Sequence, residues 1–396
     1  MTFAKNLKSQ TPHVAFFGCT NSGKSSLINL LTNQNLSIVS DKKGTTTDPV
    51  QKTVEVLPIG PLVLIDTAGI DDKTELGTLR IQKTKEILNK TDLAILVIDS
   101  NIGKTNDDEY LIKLFKEKNI DFIEVHNKSD LHKTNDEKIL YTSAKTGFGL
   151  ENLKEKIKEK LQKNKKEKFI IADKITTGDI IILVIPIDSS APKGRIILPQ
   201  QLVLREILDK NAIAICTQPN ELKKVLEKIS PKMIITDSQV FGEIKDIVPT
   251  NTLLTSFSIL MAKYKGEIKE LIKNIKQLEN LKDNDTILIS EGCTHHRQCN
   301  DIGTVKIPNL IKKNNPKINL NFEFTQGGDF PEDLSKYALI VHCGGCMLNE
   351  TEMNSRIQKA KNQNKAMINY GALFALTNGV LERSLEIFPE LKGDNE

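Results

Sequence analysis

The eight residues Gly18-Cys-Thr-Asn-Ser-Gly23-Lys24-Ser25 restrict what this chain can fold into more than any other feature of its sequence. They follow the apolar run Val14–Phe17 and open a segment of helical periodicity, so the pattern G-x-x-x-x-G-K-S lies between a predicted strand and a predicted helix. Glycine at both ends lets the backbone curl until several N–H groups converge at the positive end of the helix, an arrangement that cradles phosphate oxygens. Lys24 is placed to reach the β and γ oxygens of a nucleoside triphosphate, and the Ser25 hydroxyl to bind Mg²⁺. Such a loop is built at the carboxyl end of a parallel strand, which predicts an α/β unit here.

Further motifs follow in order. Asp66-Thr-Ala-Gly69 ends the predicted strand Leu62–Ile65. Asp66 is expected to hold the magnesium shell, and the Gly69 N–H to sense the γ-phosphate. Asn127-Lys128-Ser-Asp130 follows the predicted strand Phe122–Val125, and the Asp130 carboxylate can accept both the ring N–H and the amino group of guanine, a pair adenine lacks. Ser143-Ala144-Lys145 resembles the loop that meets the guanine carbonyl. The expected nucleotide set is therefore Asn21, Ser22, Gly23, Lys24, Ser25, Ser26, Asp66, Gly69, Asn127, Lys128, Asp130, Ser143, Ala144 and Lys145, with GTP and GDP as ligands. Between the first two motifs, Gly44-Thr-Thr-Thr-Asp48 occupies the place of a switch segment. With Asn21 in the phosphate loop, this segment resembles the potassium-stimulated branch of translation-factor-type GTPases. The resemblance implies Thr46 as a second Mg²⁺ ligand and Asn21 as a partial K⁺ ligand; Thr47 departs from that branch's arginine. Lys24, Asn21, Thr46 and Gly69 are the expected catalytic group. Ile70 stands where a water-orienting glutamine would, so slow hydrolysis is expected. Cys19 is expected to be a spectator, and His13, His126 and His132 ordinary strand-end or surface residues.

From Val14 to about Lys163, apolar runs alternate with helical patterns, including Leu93–Ile98 and a closing helix with Leu150, Leu153, Ile157 and Leu161 at helical spacing. Pro58-Ile-Gly-Pro61 predicts a turn between two antiparallel strands. Lys163–Phe169 is charged, lacks an apolar face and reads as a linker. Beyond it, Ile180–Ile185, Ala212–Cys216 and Met233–Thr236 read as strands, with an amphipathic helix at Glu221–Ile229. A long helical pattern over Ile259–Leu281 leads to the strands Thr286–Ser290, Ile318–Phe324, Ala338–Val341 and Ala366–Asn369. At 396 residues the chain is expected to hold an N-terminal P-loop GTPase domain (7–166) followed by two smaller α/β domains with mostly parallel sheets (167–265 and 266–396).

Hydrophobic residues make up 39% and charged residues 27%, the balance of a folded globular protein. A net charge of +4 spread along lysine–glutamate alternation gives no nucleic-acid footprint. Residues 1–14 lack the apolar core of a secretory signal, and the run Ile180–Ile187 is far short of the roughly 20 residues a membrane span needs. A cytoplasmic protein without membrane or nucleic-acid partners is the expectation. Six cysteines in a reducing compartment point away from disulfides, and four of them lie between Cys293 and Cys346.

Cys293-Thr-His295 follows one predicted strand and His342-Cys343-Gly-Gly-Cys346 another. Loops at the carboxyl ends of neighbouring parallel strands meet in space. Gly344 and Gly345 permit a tight wrap and leave N–H groups for sulfur. Chance buried cysteines explain a lone C-x-x-C; with C-x-H and a preceding histidine the pattern reads as a metal site. The residues themselves leave zinc and iron–sulfur ligation even. Cys299 and His296 are reserve ligands, and Cys216 is expected in the core.

Taken together, the GTPase motifs, C-x-H and H-C-x-x-C resemble the FeFe-hydrogenase maturation GTPases, the HydF family. Pro186-Ile-Asp-Ser-Ser-Ala-Pro-Lys-Gly-Arg-Ile-Ile-Leu-Pro-Gln200 and Gly327-Gly-Asp-Phe-Pro331 share the resemblance. It implies a homodimer built of GTPase, dimerisation and cluster domains, and a 4Fe–4S centre on Cys293, Cys343 and Cys346. The fourth iron site is exchangeable, with His295, His342 or a carboxylate as occupant. It further implies a transient di-iron precursor, received with two radical-SAM maturases and delivered to the apo-FeFe-hydrogenase. Two rival functions stand beside it: an RNA-associated assembly GTPase with a structural zinc module, and a redox sensor in which the cysteine pair gates the GTPase.

Overall fold

A computed structural model describes residues 9–32, 50–69, 75–131, 139–163, 167–187, 196–266, 268–294 and 301–394. The chain divides into two compact units, Met1–Lys166 and Glu167–Glu396.

In the first unit a six-stranded sheet has the order β2-β3-β1-β4-β5-β6, where β1 is His13–Phe17, β2 Val50–Val56, β3 Gly60–Asp66, β4 Leu93–Asp99, β5 Phe122–Asn127 and β6 Leu140–Tyr141. Four pairings are parallel, and only the β2–β3 hairpin is antiparallel. β1 and β4 are buried on both faces, as continuous apolar runs must be when helices cover both sides of a parallel sheet. Helices α1 (Lys24–Thr32), α2 (Glu75–Leu88), α3 (Asn106–Glu117) and α4 (Leu150–Lys163) supply that cover. One core holds Leu27, Leu31, Leu153 and Ile157 against one face, and a second holds Leu88, Leu111 and Phe115 against the other. Sheet order reverses at β1, which lies between β3 and β4, so the loop after β1 opens at the switch point where ligands gather.

Two four-stranded, wholly parallel sheets form the second unit. The first has the order β10-β9-β7-β8, with β7 Ile180–Val184, β8 Ile213–Thr217, β9 Met233–Thr236 and β10 Leu253–Ser256. The second has the order β12-β11-β13-β14, with β11 Thr286–Glu291, β12 Asn321–Gln326, β13 Tyr337–His342 and β14 Met367–Asn369. One core cluster, from Ile170 to Phe388, runs under both sheets, and a second gathers Leu288, Ile340, Met353 and Met367 at the second sheet. Helices α5 (Leu198–Asp209), α6 (Phe257–Lys265), α7 (Ile307–Asn314), α8 (Glu350–Asn362) and α9 (Tyr370–Thr377) flank them. In the second sheet β11 lies between β12 and β13, so its switch point falls between the carboxyl ends of β11 and β13.

Three expectations are corrected here. The pattern Ile259–Leu281 is not one helix: α6 ends at Lys265, and the chain resumes as the short helix Ile268–Lys273 and a 3₁₀ segment to Asn280. Gly266 interrupts it where the backbone runs against α8, since a Cβ there would lie 2.8 Å from Ile357 Cδ1. The helix expected at Glu221–Ile229 is shorter, a 3₁₀ turn at Pro219–Glu221 followed by Leu222–Leu226. Cys216 is not core but exposed, on the edge strand β8. Among the described residues no helix is long and apolar enough to cross a membrane.

Candidate functional site

The phosphate loop is shaped by backbone positions that tolerate no side chain. Gly18 has φ +139°, and a Cβ there would lie 2.3 Å from the Val97 carbonyl oxygen; Gly23 has φ +93°, with Asn127 Nδ2 only 2.2 Å from the Cβ site. Asn21 also adopts a left-handed φ of 61°, which asparagine accepts more readily than most residues. Lys24 is buried, and its ammonium donates to the carbonyls of Gly18 (3.0 Å) and Cys19 (2.7 Å), folding back over the loop it serves. Ser25 donates its hydroxyl to Asp66 at 2.5 Å. Burial raises the Asp66 carboxyl above its ordinary range, while the Ser25 hydrogen bond and the Lys24 charge oppose the rise. A hydroxyl paired with a carboxylate beside an ammonium is the donor set for a phosphate-bound Mg²⁺.

The base-side motifs are tied to the phosphate loop by one side chain. Asn127, almost wholly buried, donates through Nδ2 to the Ser22 carbonyl (3.0 Å) and accepts the Ala144 N–H at Oδ1 (3.1 Å). Ser143 donates to Asp130 at 2.6 Å, which orients the carboxylate expected to read guanine. Lys128 takes φ +63° and pairs with Asp99 at 2.6 Å. Asp99 at the end of β4 carries no motif of its own, so it escaped the sequence reading. Ser26 and Lys145 are exposed, while Gly69 is half-buried just past β3. Cys19 lies against α3, its sulfur 3.4 Å from Thr105 Oγ1. His13 sits at the start of β1 against the Thr11 carbonyl, and His126 on β5 against Glu124.

In the second unit, Cys293 follows β11 and Cys343 and Cys346 follow β13, so three thiols stand at the switch point of the second sheet. Cys343 Sγ accepts the N–H groups of Gly292 (3.0 Å) and Gly345 (3.3 Å). Gly345 has φ +63°, and a Cβ at Gly292 would lie 2.8 Å from Leu348 Cγ, so the two loops close on each other only through glycine. Burial raises all three thiols, Cys346 to about 12, with the neighbouring thiols adding to the rise at Cys293 and Cys346. Among the described residues, no group of three or more His, Cys, Asp or Glu side chains is placed to hold a metal ion.

His342 is fully buried, and both of its ring nitrogens are hydrogen-bonded within the protein. Its Nδ1 donates to the Cys343 carbonyl at 2.7 Å, and its Nε2 accepts from Arg356 at 3.1 Å. Burial and the Arg356 charge push the imidazole down to about 3, so it stays neutral. Arg356, itself buried, also donates to the Gly327 carbonyl and to Glu352 (2.9 Å) and lies over the Phe330 ring. Arg356 was missed by sequence reasoning: Glu352 and Arg356 look like any i, i+4 surface pair. Lys265, at the end of α6, donates its buried ammonium to the Leu348 carbonyl at 2.9 Å. Two buried donors have no partner among the described residues, the Tyr370 hydroxyl and Asn369 Nδ2; Asn369 is level with His342 in the sheet. Buried sulfurs that accept N–H groups, with two buried donors left over in the same unit, suit an anionic, sulfur-ligated group. Thr46 and the switch segment, Ile70, His132, His295, His296, Cys299 and residues 188–195 lie outside the described residues.

Residues 13–128 match the 50S ribosome-binding GTPase family, residues 170–266 the hydrogen maturase F dimerization domain, and residues 269–387 the hydrogen maturase F tetramerization domain. Among curated proteins, the GTPase Der of Kosmotoga olearia is 33% identical over 184 residues, 41% of this chain and 39% of that protein. The tRNA modification GTPase MnmE of Thermoanaerobacter sp. is 43% identical over 138 residues, 35% of this chain and 29% of that protein. The chain thus spans 39% and 29% of the lengths of these two relatives. The solved G domain of the T. maritima FeoB iron transporter is 29% identical, covering 38% of this chain and 99% of that one, with a TM-score of 0.32. Behind the GTPase segment, two consecutive domains of one family account for the unit that holds the three cysteines, and the chain belongs to the hydrogen maturase F family.

Proposed function

We propose that the first unit hydrolyses GTP and that the second carries a 4Fe–4S cluster on Cys293, Cys343 and Cys346. Together they form a scaffold that assembles or delivers the di-iron precursor of the FeFe-hydrogenase active site. The observation that carries this reading is the Cys343 sulfur, which takes two backbone N–H groups at the sheet switch point beside Cys293, in a chain that also holds a complete guanine-nucleotide motif set. A four-iron cluster takes one thiolate per iron, so its ligands need not converge on one point as zinc ligands must. Bound there with three thiolates, such a cluster supplies one iron open to exchange. His342 is committed to the protein, which leaves the fourth position to His295, a carboxylate or the cargo itself.

In the nucleotide site, Lys24 exchanges the carbonyls of Gly18 and Cys19 for the β and γ oxygens, and Ser25 and Asp66 hold the magnesium shell, with Thr46 as the second ligand from the switch. Gly69 senses the γ-phosphate. Turnover is slow, because Ile70 cannot orient water, and K⁺ held in part by Asn21 supplies the missing charge. GTP acts as a switch on partner contacts, those partners being two radical-SAM maturases and the apo-hydrogenase. The chain works as a homodimer with the domain limits 7–166, 167–265 and 266–396.

Anaerobic reconstitution with iron and sulfide tests the reading. A broad visible absorption that bleaches on reduction, with a matching EPR signal, is expected. A colourless protein with stoichiometric zinc rejects it. Faster GTP turnover in KCl than in NaCl is expected, and equal rates reject the potassium role.

A further inference from the structure

Asp99 ends β4 without belonging to any nucleotide motif, yet it holds the lysine of one. Its Oδ2 accepts the Lys128 ammonium at 2.6 Å, and the two side chains are 12% and 32% exposed. Its Oδ1 accepts the Asn101 N–H at 2.9 Å and the Asn101 amide at 3.1 Å. The carboxylate is thus gripped on one oxygen by Lys128 and on the other by its own loop. The sheet repeats the restraint: Asp99 lies level with Asn127, and the Ser100 N–H donates to the Asn127 carbonyl at 2.9 Å. Burial raises the Asp99 carboxyl, but the Lys128 and Asn101 hydrogen bonds outweigh it and hold the group below the ordinary carboxylate range. Lys128 needs such a hold. Its φ of +63° lies in the left-handed region, which a long side chain adopts only where its surroundings impose it. Asn127 before it is tied to Ser22 and Ala144, and Asp130 after it to Ser143, so Lys128 joins the two fixed points of the base side.

Resting on the nucleotide-site reading above, we propose that Asp99 is a positioning residue for the guanine nucleotide and acts through Lys128. By fixing the ammonium at the end of β4, it lays the alkyl stem of Lys128 along the base pocket as an apolar wall. A lysine without that hold has several rotatable bonds to order each time a nucleotide binds, a loss of side-chain entropy charged against affinity. The ion pair places the stem in the free protein, so the pocket is formed before the base arrives. With its charge met by Asp99, Lys128 serves the base through its stem, and the phosphates are left to Lys24. The consequence is a division of effects: Asp99 governs how tightly the nucleotide is held, and the hydrolysis step does not depend on it.

A double-mutant cycle on the full chain provides the test, read by fluorescent-GDP titration with magnesium and by GTP turnover. Asp99→Asn keeps the shape and an oxygen for the Asn101 N–H, but sets a neutral amide against the ammonium. Lys128→Met keeps an apolar stem that Asp99 cannot hold. Each single variant is expected to raise the Kd for GDP and the KM for GTP by about tenfold, with kcat at saturating GTP changed by about twofold or less. The double variant is expected to match Lys128→Met alone, because the two residues act as one unit. An unmoved Kd in Asp99→Asn overturns the inference, as does a fall in kcat at unchanged KM. A double variant weakened about a hundredfold, the product of the two single losses, overturns it as well, since Asp99 would then act without Lys128. So does an Asp99→Asn chain that fails to fold, which would assign the carboxylate to the fold rather than to the nucleotide. An unaltered chain that binds no GDP sinks the nucleotide reading itself, and this inference with it.

Discussion

Gly23 and Asn127 meet at the centre of the nucleotide site with no room for a methyl group between them. The Cβ of Gly23→Ala would fall 2.2 Å from Asn127 Nδ2 at a φ of +93°. The substitution is expected to cost about 1–3 kcal/mol in backbone strain and to displace Asn127 from the Ser22 carbonyl. A fluorescent-GDP titration should show binding lost, and a thermal melt the lower stability. Lys24→Ala is expected to lower GTP turnover by about 100-fold or more while iron content stays unchanged, since Lys24 serves the phosphate loop, where it donates to Gly18 and Cys19. Cys343→Ser should do the reverse, losing iron and keeping turnover; a variant that loses both would break the separation of the two sites. Arg356→Met leaves Glu352 without its cation and His342 without its donor, and is expected to destabilise the second unit by about 3–5 kcal/mol in a urea titration. These residues divide by how visible they are in sequence. Lys24, Asp66 and Asp130 announce themselves because phosphate, magnesium and guanine each demand a fixed residue at a fixed spacing. Arg356, Lys265 and Asp99 are ordinary charged residues until folding encloses them, and burial is a property of the whole sheet rather than of any local run.

Strands were the most legible elements. Leu93–Ile98, Met233–Thr236 and Thr286–Ser290 are apolar runs too short for a helix and flanked by polar residues, and each is a strand buried on both faces. β10 was missed because Leu253-Leu-Thr-Ser256 offers only two apolar residues; its partner β9 makes it a strand. The break at Gly266 could not be read either, since the periodicity continues through it and the cause is Ile357, far along the chain. Edge strand β8 is the element with the clearest consequence. Among the described residues it pairs with β7 alone, and Ile213 on it and Leu208 at the end of α5 are 50% and 56% exposed. An unpaired edge flanked by exposed apolar side chains in a segment that matches a dimerization domain is suited to a second copy of itself. Ile213→Glu is expected to shift the protein from dimer to monomer in light scattering at equal concentration. An unchanged mass would place the dimer contact elsewhere.

At the scale of the whole chain, each unit has a core of its own. Among the described residues, the clusters around Val14 and Phe17 draw on the first unit, and those around Ile170 and Leu288 on the second. Cooperative unfolding follows shared cores, so heating the metal-free chain should give two transitions. A ligand that binds only the folded first unit stabilises it by RT ln(1 + [L]/Kd), about 2.7 kcal/mol at a hundredfold excess over Kd. For a unit of that size the shift is roughly 5–10 °C. Differential scanning calorimetry with magnesium and a non-hydrolysable GTP analogue should therefore raise one transition and leave the other in place, and Lys24→Ala should abolish the rise. The result bears on the switch. A nucleotide that moved both transitions would show coupling within the chain, by linkage between the two units. With only the first moved, the γ-phosphate acts on surfaces that partners touch, and the exchange at the cysteine pocket depends on those partners being present.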